Sequence, residues 1–264
     1  MTIPNVLSIA GVDPSGGAGI AADLKTFAAL GAYGMAAVTA VTVQNTQGVR
    51  GFRLMEPAFV ADQIEAVFDD VRVDAVKIGM VGSAAIAEAI AGALRRHRAR
   101  HIVLDPVMMA KGGDALVATD AVAAIRDRLV PLAEVITPNL PEAGVLLGAE
   151  TPSGLDGMRA MARDLLRLGA ASALLKGGHL DGPDSTDVYA DADGTETLAA
   201  ARIATRNTHG TGCTLSSAIA ALLPRHVRIA AVRRAKDYVT RAIAGADRLD
   251  VGSGHGPLHH FHAA

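Results

Sequence analysis

Six short apolar runs recur along the chain: "NVLSIAG" at 5–11, "MAAVTAVTVQ" at 35–44, "DAVKIGM" at 74–80, "HIVLDPV" at 101–107, "EVITPN" at 134–139 and "SALLKGG" at 172–178. The segments between them, at 18–32, 57–71, 83–99, 118–130 and 154–170, carry apolar residues at every third and fourth position. Runs that are apolar on both sides read as strands buried on two faces, and the intervening period reads as helix. Such alternation is met by a mostly parallel sheet covered by helices on both faces, an α/β fold. Two further helices are predicted near 211–223 and 228–248, and "TDVYADADGTETLAAARI" at 186–203 reads as a β-hairpin on the sheet margin, turning at Asp193-Gly194. No repeat or Gly/Pro/Ser-rich linker divides the 264 residues, so a single domain over 1–264 is expected.

Composition narrows the function classes. With 25 basic and 27 acidic residues the formal net charge is -2, which argues against a nucleic-acid surface and for a small ligand. The one cysteine excludes an intrachain disulfide and any zinc site built from several thiolates. The first residues lack a basic region ahead of an apolar run, and no stretch of about 18 apolar residues occurs, so no membrane contact is expected and a cytoplasmic location is.

In open sheets of this kind ligands gather at the carboxyl ends of the strands. The residues just past each run are Gly11 to Gly19, Gln44-Asn45, Gly79-Met80, Asp105-Pro106-Val107, Asn139 with Glu142, and Lys176-Gly177-Gly178. A further candidate is "HGTGCTLSSA", where Gly210, Thr211 and Gly212 precede Cys213 at a helix start. Exposed N–H groups and the helix dipole there suit a phosphate, and the same dipole favours a thiolate. Cys213 reads either as a base or nucleophile or as a small buried hydrophobe.

Other residues also carry two readings. Asp13 and Ser15 in "GVDPSGG" are turn or capping residues, and the loop lacks the spacing of a P-loop or dinucleotide fingerprint. Asp23 faces either a ligand or solvent. Asn139 and Glu142 hold a hydrated magnesium ion or form a capping box. Asp105 and Lys176 serve metal and phosphate, or pair as a strand-end ion bridge. His259, His260 and His262 read as a tail or packed terminal segment rather than a metal site.

Together "AGVDPSGGAGIAADLKTF", "VQNTQGV", "KIGM", "LDPVMMAKGGD", "TPNLPEA", "LLKGGHL", "NTHGTGCTLSSAIAA" and "GHGPLHHF" resemble the bacterial hydroxymethylpyrimidine and phosphomethylpyrimidine kinases of thiamine biosynthesis, in order and from residue 7 to residue 262. The resemblance implies a ribokinase-like three-layer α/β/α fold, usually a homodimer, using ATP and Mg²⁺. It implies phosphorylation of 4-amino-5-hydroxymethyl-2-methylpyrimidine and then of its monophosphate.

Carried over by position, it makes Gln44 the reader of the aminopyrimidine beside the Gly11 backbone, with Ala18, Met80 and Val107 walling the ring and Asp23 near the substrate. Cys213 becomes the catalytic base where the wider superfamily has Asp, and Gly210, Thr211 and Gly212 form the anion hole. Lys176 neutralises phosphate charge, and Asp105, Glu142 and Asn139 serve the metal. The hairpin at 186–203 falls where the superfamily contacts nucleotide. Thr42 stands where an aliphatic pocket wall is expected.

A B6-vitamer kinase is the nearest alternative, and Gln44 favours the pyrimidine. A sugar kinase would keep the Asp that Cys213 replaces, and a catalytically silent binder of thiamine precursors would not need Cys213, Lys176, Asp105 and Glu142 together.

Overall fold

The computed structural model describes residues 2–108, 119–178, 180 and 182–263. Its centre is a nine-stranded sheet made of β1 (Asn5–Val12), β2 (Tyr33–Asn45), β3 (Gly48–Leu54), β4 (Ala75–Ile78), β5 (Ile102–Leu104), β6 (Val135–Ile136), β7 (Ser172–Leu175), β8 (Asp187–Asp191) and β9 (Gly194–Leu198). Their order is β3-β2-β1-β4-β5-β6-β7-β8-β9. The six strands from β2 to β7 in that order run parallel, while β3 and the β8–β9 hairpin add antiparallel margins. Every residue of β4, β5, β6 and β7 is buried, which explains why these segments read as unbroken apolar runs.

Helices cover both faces. α1 (Gly19–Ala29), α7 (Thr211–Leu222) and α8 (Arg228–Ala244) lie on one, where Val6, Phe27, Leu215, Ile219, Val232 and Tyr238 share a core. α2 (Pro57–Asp70), α3 (Ala84–Arg96), α4 (Thr119–Ala124), α5 (Leu140–Leu147) and α6 (Leu155–Leu166) lie on the other, around Ile64, Ile90, Leu146, Met158 and Leu165. The three layers are those expected of a ribokinase-like α/β fold.

Local chemistry sets the helix starts. Pro57 opens α2, and Ser83 caps α3 by accepting from the Ile86 N–H at 3.2 Å, while Arg95 and Arg96 complement the dipole at its far end. Fully burying a side chain such as Phe27 stabilises the fold by roughly 1.5–3 kcal/mol.

Four of the expected strands end early: 74–80 shrinks to Ala75–Ile78, 101–107 to Ile102–Leu104, 134–139 to Val135–Ile136 and 172–178 to Ser172–Leu175. In β5 and β6 the cause is Pro106 and Pro138, which lack the N–H a ladder needs. β3 was not anticipated, because "GVRGFRL" mixes glycine and arginine and hides its alternation. The helix expected over 118–130 is α4 followed by a π turn at Ile125–Leu129 and a 3₁₀ turn at Val130–Leu132. Within the quoted motifs, residues 109–114 and His179 lie outside the described residues. Among those described, no helix is long and apolar enough to cross a membrane.

Candidate active site

Two glycine loops meet at the carboxyl edge of the sheet. Gly210, at φ 78°, precedes α7 in the left-handed region, and a Cβ there would fall 1.8 Å from the Gly17 carbonyl oxygen. Gly19, at φ 54°, is as constrained, since its Cβ would meet the Gly11 carbonyl oxygen at 2.2 Å. Only glycine lets these backbones come so close. The loop after β1 is therefore clamped under the start of α7, whose first residues are Thr211, Gly212 and Cys213.

Asp105, Lys176 and Glu142 stand against that helix start. Lys176 Nζ donates to Asp105 Oδ1 at 2.9 Å and lies 4.0 Å from Glu142 Oε2. A Cβ on Gly212 would come within 3.2 Å of Lys176 Nζ and 3.5 Å of Asp105 Oδ2, so an anion on the helix N-terminus would share space with the ammonium. Burial opposes its charge, yet Asp105 and Glu142 hold the Lys176 ammonium above its usual range. Burial pushes the Glu142 carboxyl upward, Lys176 opposes this and Asp105 adds to it.

Asn139 and Glu142 do form a capping box: Asn139 Oδ1 accepts from the Glu142 N–H and Glu142 Oε2 from the Asn139 N–H, each at 2.8 Å. The cap aims the carboxyl group at Lys176, so capping and site geometry are one arrangement.

Cys213 is partly exposed at the third position of α7. Its thiol is pushed up to about 11, chiefly by desolvation, with Asp23 and Asp105 adding to the rise while Lys77 and the Gly19 backbone pull the other way. The thiolate favoured on helix position alone is therefore not the resting form: burial beside two carboxylates outweighs the helix start.

A small apolar patch, separate from the two main cores, joins Ala40, Met80, Phe52 and Val107 at the strand ends. Gly11 faces it, as a Cβ there would touch Met80 Sδ at 3.1 Å. Ala18, partly exposed, lies in the loop before α1 and gives its N–H to Asp13 Oδ2 at 3.0 Å. Gln44 extends from the β2–β3 ribbon, beyond the point where β2 leaves β1. An apolar patch and a single amide are the kinds of group a flat heterocycle asks for. Thr42 bonds locally: its hydroxyl donates to the Val12 carbonyl at 2.9 Å, and its Oγ1 lies 3.1 Å from the Gln44 amide.

Asp23 corrects the expectation placed on it, since it faces neither ligand nor solvent. It is wholly buried and accepts from Lys77 Nζ at 2.8 and 3.0 Å, Ser8 Oγ at 2.6 Å and Ser217 Oγ at 2.7 Å. This network ties α1, β1, β4 and α7 together beneath Cys213. Lys77 escaped notice because a lysine inside "AVKI" sits at a strand-core position, where a charge is not expected.

Sequence reasoning also missed His209. Its Nε2 donates to Asp13 Oδ2 at 2.7 Å and lies 3.4 Å from the Gln44 amide. Asp13 is a turn residue as expected, binding the Ser15 N–H and hydroxyl, but it also holds His209. Burial raises the Asp13 carboxyl, yet His209 and Ser15 bring it net below the usual range.

The terminal segment packs over these loops. His255 N–H donates to the Thr46 carbonyl at 2.8 Å, His209 N–H to the Gly256 carbonyl at 3.0 Å, and Tyr238 to the His260 carbonyl at 2.7 Å. His260 Nε2 lies 3.1 Å from Thr214 Oγ1. The terminal histidines form no metal cluster among the described residues.

Residues 13–259 match the phosphomethylpyrimidine kinase family. The chain is 53% identical over 260 residues to the hydroxymethylpyrimidine/phosphomethylpyrimidine kinase of Escherichia coli (strain K12), covering 98% of each, and 52% identical over 257 residues to that of Rhizobium meliloti (strain 1021), covering 97% and 96%. Its fold matches the pyridoxal kinase from Staphylococcus aureus in complex with ADP at a TM-score of 0.91, with 32% identity over 100% of this chain and 95% of that one. It matches phosphomethylpyrimidine kinase from Clostridium difficile 630 at 0.81, with 40% identity over 92% and 100%. The chain belongs to the phosphomethylpyrimidine kinase family and is a phosphotransferase.

Proposed function

We propose that the protein transfers the γ-phosphoryl group of ATP to 4-amino-5-hydroxymethyl-2-methylpyrimidine, and then phosphorylates the monophosphate to the diphosphate. The observation that carries this reading is the glycine-lined start of α7 with Lys176 against it, in a chain that also holds a half-buried amide, Gln44, 3.1 Å from Thr42 Oγ1 and 3.4 Å from His209 Nε2. A ring nitrogen next to an exocyclic amine asks for one donor and one acceptor, which an amide supplies. Gly11, Ala18, Met80 and Val107 would hold the ring.

Phosphoryl transfer depends mainly on positioning and on neutralising charge. The N–H groups of Gly210 to Cys213 would receive the transferring oxygens, and Lys176 would neutralise them from the other side. The substrate hydroxyl would give its proton to Cys213 Sγ in its thiolate form. Since desolvation holds that thiol up at about 11, the thiolate is scarce at neutral pH but a strong base when formed.

Asp105 and Glu142 fit a hard cation by their chemistry. Among the described residues, the one hydrogen bond to Asp105 Oδ2 is the 3.4 Å contact from Ser216. They would hold Mg²⁺ directly or through water, with Asn139 fixing Glu142, and the ion would supply charge neutralisation on phosphate oxygens. The β8–β9 hairpin would border the nucleotide.

A homodimer, a cytoplasmic location and a single domain over 1–264 complete the reading. Exposed Tyr33, Val41 and Val43 on β2 support the first, and one continuous sheet supports the last. Incubation with ATP, MgCl₂ and the hydroxymethyl compound should yield its mono- and diphosphate by mass. Monophosphate alone would restrict the protein to the first step, and an unaltered pyrimidine would overturn the proposal.

A further inference from the structure

Gln44 can read an aminopyrimidine edge in two ways, because its amide presents N–H on one side and C=O on the other. Turning the amide over reverses the order of donor and acceptor. The two ends can be told apart by counting protons on their neighbours. Oε1 is placed 3.1 Å from Thr42 Oγ1 and Nε2 3.4 Å from His209 Nε2.

His209 Nε2 sits 2.7 Å from Asp13 Oδ2, in a carboxyl group that also binds the Gly17 and Ala18 N–H groups and is kept ionised by its partners. A ring nitrogen so close to a carboxylate carries the proton and has no lone pair left, so it cannot accept from an amide N–H. Thr42 gives the same answer from the other end. Its single hydroxyl proton goes to the Val12 carbonyl at the shorter distance of 2.9 Å, so its oxygen is free to accept. Thr42 Oγ1 therefore calls for the NH₂ on its side, and the His209 N–H, already given to Asp13, is better faced by the amide oxygen than by a second N–H, so both neighbours favour the opposite flip.

We infer that Thr42 and His209, the latter held by Asp13, are positioning residues that lock the Gln44 amide in this orientation and so decide which way round the pyrimidine enters. The inference rests on the reading of Gln44 as the ring's partner and adds the device that orients it. An amide turned over would accept the ring with its edge reversed, and the hydroxymethyl group would then point away from the start of α7. The aliphatic side chain expected at position 42 would wall the pocket equally well, yet it would leave the amide NH₂ without its acceptor. The threonine hydroxyl thus has work beyond filling space.

The test is a kinetic cycle on the full chain with Thr42→Val, Thr42→Ser, Gln44→Ala and the double variant Thr42→Val/Gln44→Ala, using hydroxymethylpyrimidine and ATP. A neutral hydrogen bond is worth about two- to tenfold in binding. Thr42→Val should raise KM for the pyrimidine by roughly three- to tenfold and leave KM for ATP and the thermal midpoint near wild type. Thr42→Ser should restore it. In the Gln44→Ala background Thr42→Val should add nothing.

Three outcomes refute parts of this separately. If Gln44→Ala leaves the pyrimidine KM unchanged, the underlying reading of Gln44 is wrong. If Gln44→Ala raises it but Thr42→Val does not, or the two effects simply multiply, that reading stands and the orienting role falls. Equal losses for ATP and pyrimidine in Thr42→Val would make the hydroxyl merely structural.

Discussion

Replacing Asp23 by asparagine keeps the side chain's shape and removes its charge beneath the active site. The carboxylate takes hydrogen bonds from Lys77, Ser8 and Ser217, and both it and Lys77 are 0% exposed. Removing one partner leaves an ammonium buried without a counter-charge, which costs about 3–5 kcal/mol. Against a typical stability of roughly 5–15 kcal/mol this is a large share. For a chain of this size about 2–4 °C is lost per kcal/mol, so the midpoint should fall by about 6–20 °C.

The assay is thermal and urea unfolding of Asp23→Asn, Lys77→Met and the double variant Asp23→Leu/Lys77→Met. The double variant buries no charge and should recover at least half of either single loss. A single variant costing under about 1 kcal/mol, or a double variant costing the sum of the two, would refute the pairing as the source of stability.

Three shorter tests follow. Alkylation of Cys213, the one cysteine, should be slow at neutral pH and rise about tenfold per pH unit well into the alkaline range, because burial holds the thiol at about 11; an inflection near the free value of about 8.5 would contradict this. Gly210→Ala would force a Cβ to 1.8 Å from the Gly17 carbonyl oxygen, and turnover should fall by about 10²-fold as the anion hole is displaced; an unchanged kcat would remove that hole from the reaction.

The third concerns acid. Burial, with Lys25 and the neighbouring histidines adding, brings His260 down to about 4 from an ordinary 6.5. The unfolded chain binds a proton there before the folded one does. Its contribution of about 3 kcal/mol is therefore intact above pH 6.5 and is lost as pH falls towards 4. His260→Gln should flatten the stability slope in that window, measured by urea titration, and an unaltered slope would exclude His260 as its source.

The sheet and its helices were legible because buried parallel strands leave unbroken apolar runs and covering helices leave a 3.6-residue period. β3 was not, since an edge ribbon carrying Gly48, Gly51, Arg50 and Arg53 keeps neither signal. The candidate residues at strand ends could be read by position, and Asp105, Lys176 and Glu142 do stand together.

What position could not give was direction. Asp23 lies one turn past Gly19 whether it points outward or inward, and only the buried lysine of β4 decides that it points inward. His209 sits within the "HGTG" stretch, but its bond to Asp13 reaches across 196 positions of sequence, so nothing local announces it. The state of Cys213 was left open for a related reason: helix position is local, whereas the desolvation and the two carboxylates that outweigh it come from the tertiary fold.

The most direct test of the whole account compares kcat/KM for hydroxymethylpyrimidine and for pyridoxal in the same Mg²⁺-ATP assay, with wild type beside Gln44→Ala. The account predicts that wild type prefers the pyrimidine and that Gln44→Ala erases this preference while pyridoxal turnover changes little. Faster phosphorylation of pyridoxal by wild type, or an unchanged preference in Gln44→Ala, would contradict it.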